Sequence, residues 1–455
     1  MSQDVRQSGG LYGAPEPPAE QQRAFADGEV RVAVYGLGKI GLPLASVFAD
    51  VTGNTVGVDV DSTVVARVND GDCPVEREPG LPALLEDLVD RQALRATTDG
   101  AEAAAAADVH VVVVPTVLAD DREPDLSVLE EAVATVAEGL SAGDVVFVES
   151  TVPPRTTADV VVPHLADRSG LAVGDFGAAA CPERTLSGRA LADIRGTHPK
   201  VVGGVDPEST RVAELVYDEL TANDVLAAES ATMAEAVKVF EGVYRDVNIA
   251  VANQLARYAP ALDVDVRRTI ELANTQPFCD ILEPGPGVGG HCIPVYPYFL
   301  RSVFDVRDDL LPAARRTNDA MPAHTVALFE TVLEHHGRSL ADSTVLLLGA
   351  TYKANVNELR NAPALALADA LADRCQRLLG ADPLVDEWDR TEGVEQVPVG
   401  EAPSTNPDGV VLVTPHDEFL AYDWTAFDAP IIDGRAALDP DVIEAPIYTV
   451  GGQWP

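Results

Sequence analysis

One thiol stands apart by its surroundings. Cys292 closes the run "PGPGVGGHC", in which Gly285, Gly287, Gly289 and Gly290 precede it and His291 adjoins it. A pliable polar loop is expensive to keep in a core and lets backbone approach whatever lies beside the thiol, so Cys292 suits an accessible nucleophile. Cys73, Cys181, Cys279 and Cys375 have no such setting and read as small core hydrophobes. Lys238 is central to the amphipathic "AEAVKVFEG". It is either a solvated lysine on a helix or, facing a cleft, an ammonium that stabilises a developing alkoxide. Glu183, in "CPERTLSG", is either a surface carboxylate or a buried one whose raised pKa would suit it to water activation. His198, His291, His324, His335 and His336 form no ligand set with a carboxylate motif, so no metal is expected.

A second constellation lies near the start. The β-branched run from Val30 to Tyr35 meets Gly36, Gly38 and Gly41, and an apolar, Ala-rich stretch follows. That is the strand, tight turn and helix of a dinucleotide fold, with Lys39 and Ile40 in the turn counted among the cofactor contacts. The next strand ends at Asp59, where a carboxylate accepts ribose hydroxyls and repels a 2'-phosphate, which favours NAD over NADP. Thr116 and Thr151 fall at later strand ends, where an open α/β sheet exposes its ligand crevice. A dinucleotide fold with a nucleophilic cysteine restricts the reaction: an alcohol loses hydride, the aldehyde adds the thiolate, a second hydride leaves and water releases an acid.

These groups need elements to hold them. Near-continuous valine runs at 108–116 and 144–151 read as parallel strands covered on both faces. A long helical region follows at about 228–275, and a second strand-to-glycine unit starts at "DSTVLLLGATYKANVNELR". The expected fold class is α/β, two Rossmann-like domains joined by a helical central region. The expected boundaries are a flexible tail at 1–28, an NAD-binding domain at 29–222, a helical central domain with the cysteine loop at 223–337, and a second Rossmann-like domain at 338–455. Residues 385–407, polar with Pro and Gly, read as a surface loop.

Composition bounds the partners. With 32 Lys+Arg against 73 Asp+Glu the formal net charge is -41, which repels phosphate backbones and anionic headgroups and so excludes nucleic acid. A carboxylated exterior fits a halophilic cytoplasm; an acidic interaction surface is the competing explanation. Five scattered cysteines argue for a reduced cytosol, residues 1–28 lack the pattern of a signal peptide, and no run of eighteen apolar residues calls for a membrane span.

The motifs in order resemble the UDP-glucose/GDP-mannose dehydrogenase family. "VYGLGKIGLPLA", "ESTVPPRTT", "CPERTLSG", "VKVFEGVYRDVNIAVANQLA", "PGPGVGGHCIP", "ARRTNDAMP" and "LLGATYKANVNELR" carry the likeness over roughly residues 30–435. "YRDVNIAVANQLA" and "GGHCIP" most resemble its UDP-N-acetyl-D-mannosamine dehydrogenases, which oxidise the sugar C6 to the uronate; UDP-glucose 6-dehydrogenase is the nearest alternative. The resemblance implies NAD as cofactor, a UDP-sugar substrate bound by the last domain, and a homodimer whose contact the central domain carries. It implies Cys292 as nucleophile, Lys238 as alkoxide stabiliser, Glu183 as the acid/base carboxylate and Thr151 as its hydrogen-bonding neighbour. Gly287, Gly289 and Gly290 would shape the sugar pocket, and Arg316, Lys353 and Arg360 would bind the nucleotide sugar. Two positions depart from the pattern. Gly242 stands where the family has Asn, four residues after Lys238, and Tyr296 where it has Asp, four after Cys292. Three readings therefore stay open: an active dehydrogenase with a compensating group, a slow or partial catalyst that stalls before the acid, and a binding or regulatory homologue without turnover.

Overall fold

The computed structural model describes residues 10–186, 188–386, 388 and 392–452. The chain divides into two compact units, one formed by Met1–Phe240 with Tyr298–Phe304 and the other by Glu241–Pro297 with Asp305–Pro455.

The first unit is built on eight strands: β1 (Val32–Tyr35), β2 (Thr55–Val58), β3 (Leu94–Thr97), β4 (Val109–Val112), β7 (Val145–Val148), β8 (Gly177–Ala180), β9 (Lys200–Gly204) and β10 (Val225–Ala227). A separate two-stranded ribbon, β5 (Val117–Leu118) with β6 (Pro124–Asp125), interrupts the count. The sheet order is β10-β9-β8-β7-β4-β1-β2-β3. All pairings are parallel except β8 with β9. The order reverses between β1 and β4, which opens the crevice that doubly wound sheets use for ligands. β1, β4 and β7 are buried at every residue, as strands covered on both faces must be, and apolar clusters fill both sides.

Residues 10–28 differ from the expected loose tail, of which 1–9 lie outside the described residues. Helix α1 (Pro18–Ala26) seats Phe25, fully buried, against Phe48 at a ring separation of 6.4 Å. The Tyr12 hydroxyl donates to Asp206, and the Arg211 guanidinium donates to Gln21 and to the Leu11 carbonyl. The polar composition of this stretch conceals three anchors whose partners lie far along the chain.

The second unit carries a six-stranded, all-parallel sheet of β11 (Thr344–Leu348), β12 (Arg377–Ala381), β13 (Val394–Gln396), β14 (Gly409–Leu412), β15 (Ile431–Asp433) and β16 (Ile447–Thr449), in the order β13-β12-β11-β14-β15-β16. The segment expected to be a plain surface loop at 385–407 contains edge strand β13 and a 3-10 turn, Val399–Thr405; residues 387 and 389–391 lie outside the described residues. The 26-residue helix Ala231–Ala256 carries the division between the units within it, at Phe240 and Glu241. Two α/β sheets with a helix-rich region between them in sequence is the architecture expected of the chain.

Candidate functional site

The nucleotide turn follows from three glycines with three different jobs. Gly36 has φ +97°, and a Cβ there would stand 2.4 Å from the Val113 carbonyl oxygen. Gly41 opens helix α2 (Gly41–Thr52), and a Cβ on it would stand 1.9 Å from the Gly36 oxygen, so the helix can start only if this residue is bare. Gly38 is exposed, and a Cβ there meets nothing within 4 Å, which leaves the turn open to a ligand. Asp59, one residue past β2, accepts the Leu37 N–H at 2.8 Å and the Asp61 N–H at 2.9 Å. These bonds hold the carboxylate beside the turn and leave lone pairs for ribose hydroxyls. A bare turn, a helix start and a half-buried carboxylate on the second strand are the parts an NAD adenosine and pyrophosphate require, and these residues fit the cofactor. Lys39 is exposed on this turn and Ile40 half-buried. Across the crevice the Thr116 hydroxyl donates to the Thr151 carbonyl at 2.5 Å, and Ser150 exchanges hydrogen bonds with Val114. These bonds stitch together the ends of β4 and β7.

Lys238 and Glu183 meet in this unit. Nζ lies 3.3 Å from Oε1, and both side chains are largely buried. The other oxygen of Glu183 accepts the Thr185 N–H at 2.7 Å and the Thr185 hydroxyl at 2.6 Å. Burial alone would push this carboxyl up, but the Lys238 charge and the Thr185 donors outweigh it and hold its pKa below the usual range. Both side chains are thus buried and paired rather than solvated, but the raised pKa expected of a buried Glu183 is not found, because the Lys238 charge and the Thr185 donors lower it. Glu183 stays ionised at neutral pH and is poised to accept a proton, with an ammonium beside it to oppose negative charge.

The cysteine loop belongs to the second unit. Cys292 is partly exposed, and the neighbouring thiol raises the His291 imidazole pKa against the effect of burial. Adjacency in sequence was the signal for His291. Tyr352 covers the loop: a Cβ at Gly290, φ +87°, would lie 2.8 Å from its ring. Asn361 donates to the Gly290 carbonyl at 2.9 Å, and the Arg360 carbonyl accepts the Gly290 N–H at 2.9 Å. Gly287 and Gly289 lie against Pro363, with the Asn361 carbonyl and Tyr352 also closing on Gly289. Arg360 is exposed and Lys353 half-buried on the segment that follows β11.

Three arginines that the sequence reading passed over hold this region. Arg267 donates to the Pro284, Gly434 and Val450 carbonyls at 2.5, 3.4 and 2.9 Å. Arg435 donates to the Gly287 carbonyl at 3.2 Å; burial, with the nearby Arg267 charge, pushes its guanidinium down to about 10. Arg315, not the exposed Arg316, is the buried arginine of "ARRTND", paired with Asp246 at 2.5 Å beside Asn318. Only their carbonyl and carboxylate partners, distant in sequence, could have marked these arginines as structural.

Gly242 and Tyr296 touch each other. A Cβ at Gly242 would lie 2.1 Å from Tyr296 Cδ2, so the tyrosine ring fills the space that a side chain on Gly242 would need. Tyr296 is itself buried, and its N–H donates to the Cys292 carbonyl at 3.0 Å. The bare helix position and the large ring are therefore packed as one contact.

Among the described residues no group of three or more His, Cys, Asp and Glu could hold a metal ion, and no helix is long and apolar enough to cross a membrane.

Comparison with known proteins places these features. Three family models match in order: the NAD binding domain at residues 30–221, the central domain at 232–320 and the UDP binding domain at 346–440. The chain is 36% identical over 412 residues to the UDP-N-acetyl-D-mannosamine dehydrogenase of Pyrococcus horikoshii, covering 89% of this chain and 95% of that protein. The structure of UDP-D-ManNAc dehydrogenase from the same organism superposes with a TM-score of 0.83 at 33% identity, covering 93% and 99% of the two chains. A UDP-glucose dehydrogenase from Pyrobaculum islandicum gives 0.82 at 27% identity, covering 94% and 98%. The turn and Asp59 that fit NAD lie in the matched NAD binding domain, and with the models covering most of the chain in sequence order, it belongs to the UDP-glucose/GDP-mannose dehydrogenase family of NAD-dependent UDP-sugar dehydrogenases.

Proposed function

We propose that the chain oxidises the C6 hydroxyl of UDP-N-acetyl-D-mannosamine to the uronate, a four-electron reaction. The observation that carries this reading is the buried Lys238–Glu183 pair, its carboxyl pKa held down, in the same unit as the NAD-binding turn. NAD held by the glycine turn and Asp59 would supply the oxidant for both oxidations, two molecules being consumed in turn with exchange of the first NADH between them. Lys238 opposes the negative charge that develops on the C6 oxygen as its proton leaves, and Glu183 takes up that proton through water. Cys292, adjacent to His291, adds as thiolate to the aldehyde carbon. Loss of the second hydride leaves a thioester, and water activated by Glu183 releases the acid and frees the thiol. Thr116 and Thr151 line the cofactor crevice. Arg316, Lys353, Arg360 and the Gly287–Gly290 loop contribute to nucleotide-sugar binding, and the working form is a homodimer. The identity to a UDP-N-acetyl-D-mannosamine dehydrogenase supports the choice of sugar.

Two further readings have their own support. The fold is nearly as close to a UDP-glucose dehydrogenase, which supports UDP-glucose as substrate. Gly242 and Tyr296, packed where the family carries Asn and Asp, support a nucleotide-sugar-binding homologue without turnover. The test follows NADH formed per sugar consumed by purified protein in high salt, with UDP-N-acetylmannosamine, UDP-N-acetylglucosamine and UDP-glucose in turn. A ratio of two with the first sugar is the expected outcome. A ratio near one places the defect after the first hydride transfer. No turnover in folded protein that binds both NAD and a UDP-sugar overturns the dehydrogenase reading and leaves the binding role.

A further inference from the structure

Behind Glu183 lies a second buried lysine–carboxylate pair to which the reaction above gives no task. Lys200, the first residue of β9, puts Nζ 2.8 and 2.9 Å from the two carboxylate oxygens of Glu149, which lies one residue past β7 and is fully buried. The same Nζ donates to the Cys181 carbonyl at 2.7 Å and reaches the Pro182 carbonyl at 3.4 Å. It also stands 4.6 Å from the centre of the Tyr217 ring, whose hydroxyl donates to Glu149.

The geometry has a local cause. Cys181 and Pro182 follow β8, the strand at which the sheet changes from parallel to antiparallel pairing. Proline has no N–H with which to continue a ladder, so the carbonyls leaving this strand need donors from elsewhere. An ammonium has three, and here they serve one carboxylate and two successive carbonyls. The next residue is Glu183, whose own N–H is fixed on the Glu149 carbonyl at 3.2 Å. Glu149, Lys200, Tyr217 and Glu183 line one cleft.

We infer that Lys200 is a positioning residue for Glu183: by clamping the Cys181 and Pro182 carbonyls onto Glu149, it sets the carboxylate where Lys238 and Thr185 meet it. The inference rests on the proposed role of Glu183 and adds to it a residue to which that proposal gives no part.

The charged and titratable groups around the pair define what a test must separate. Glu183 faces Lys238 from the helix Ala231–Ala256; Glu149 faces Lys200 from β9 and Tyr217 from the helix Pro207–Leu220. Cys181 adjoins both, and Asp193 and His198 line the same cleft. In Lys200→Met the carbonyls lose their donor and Glu149, buried without a cation, takes up a proton. The local net charge is then unchanged, so any rise in the Glu183 pKa reports its displacement from Lys238 and Thr185. In Glu149→Gln the clamp on the carbonyls stays while the Lys200 charge loses its counter-ion, so the Glu183 pKa moves the other way.

The experiment titrates the Glu183 carboxyl by NMR in full-length protein carrying carboxyl-labelled glutamate, the resonance being identified as the one missing from Glu183→Gln. The expected result is a rise of about one pH unit in Lys200→Met, a fall in Glu149→Gln, and near wild-type behaviour in Lys200→Arg. If Lys200→Met does not fold, Lys200→Gln, which also removes the ammonium that holds the two carbonyls, carries the same expected rise and decides. An unmoved Glu183 in folded Lys200→Met or Lys200→Gln overturns the inference, and Glu149→Gln is the control for the charge alone. Because this readout needs no turnover, it is separate from the fate of the proposed reaction. Where the wild type turns over, the acid limb of kcat against pH is expected to move with the same signs, which a merely structural lysine would not cause.

Discussion

Gly242 and Tyr296 look independent only when read one at a time. Their contact makes the energetic consequence of each depend on the other. Gly242→Ala is expected to destabilise the protein by about 2 kcal/mol, because its methyl group would overlap the Tyr296 ring. In a Tyr296→Ala background the same change should become stabilising by about 1 kcal/mol, since alanine is the better helix former once the ring is gone. A double-mutant cycle in urea measures both. Simple additivity would show that the ring does not occupy the helix position.

Lys238 and Glu183 carry a pH signature with a definite sign. The folded-state pKa of Glu183 is depressed, so its ionisation adds stability above the unfolded carboxylate value, and that stability is lost as pH falls through the folded value. Lys238→Met leaves a buried carboxylate without its cation, which reverses the shift and makes ionisation costly. The Tm gap between wild type and Lys238→Met should therefore be smallest at low pH and widen as pH rises through the carboxylate range. A constant gap in calorimetry would mean that the ion pair does not set this titration.

At the scale of elements, the glycine turn separates folding from binding. Gly41→Ala collides with the Gly36 carbonyl and should unseat the start of α2, lowering both Tm and NAD affinity. Gly38→Ala collides with nothing in the protein, so apo Tm should stay within about 1 °C while NAD affinity falls at least ten-fold, the added methyl standing where the pyrophosphate must approach. Thermal shift with and without NAD checks the pair; equal loss of apo stability in both would remove Gly38 from the cofactor surface. This turn was legible in the sequence because its determinants are local: strand, three glycines and an acid on the next strand. The glycine-rich cysteine loop was legible as a loop for the same reason, its glycines and thiol being contiguous. What escaped was everything set by distant partners. Phe25 is an unremarkable residue in a polar stretch until Phe48 covers it, and Lys200 is one charge among many until Glu149, Cys181 and Pro182 converge on it. The roles of Arg267 and Arg435 likewise depend on carbonyls that no spacing rule brings to them.

At the scale of the whole molecule two features oppose each other. A formal net charge of -41 disfavours the approach of a second copy at low ionic strength. Yet Tyr244 and Val251, two turns apart on one helix, are exposed, and Tyr258, Leu262, Leu272 and Phe278 of the same unit are exposed as well. Apolar area of this kind is what a second copy would cover, and burying it gains about 25 cal/mol per Å² whatever the salt. Screening, by contrast, depends steeply on salt: the Debye length falls from about 10 Å at 0.1 M to about 3 Å at 1 M. The homodimer proposed above should therefore assemble as KCl rises, with a dissociation constant that falls at least ten-fold between about 0.1 and 2 M, and Tm should rise over the same range. Val251→Glu, placed on the apolar face, should keep the protein monomeric throughout while its Tm still climbs with salt, because self-repulsion within one chain remains to be screened. Sedimentation velocity and calorimetry across the series separate the two effects. A wild-type protein that stays monomeric in 2 M KCl would sink the dimer, and a Tm indifferent to salt would sink the charge argument independently.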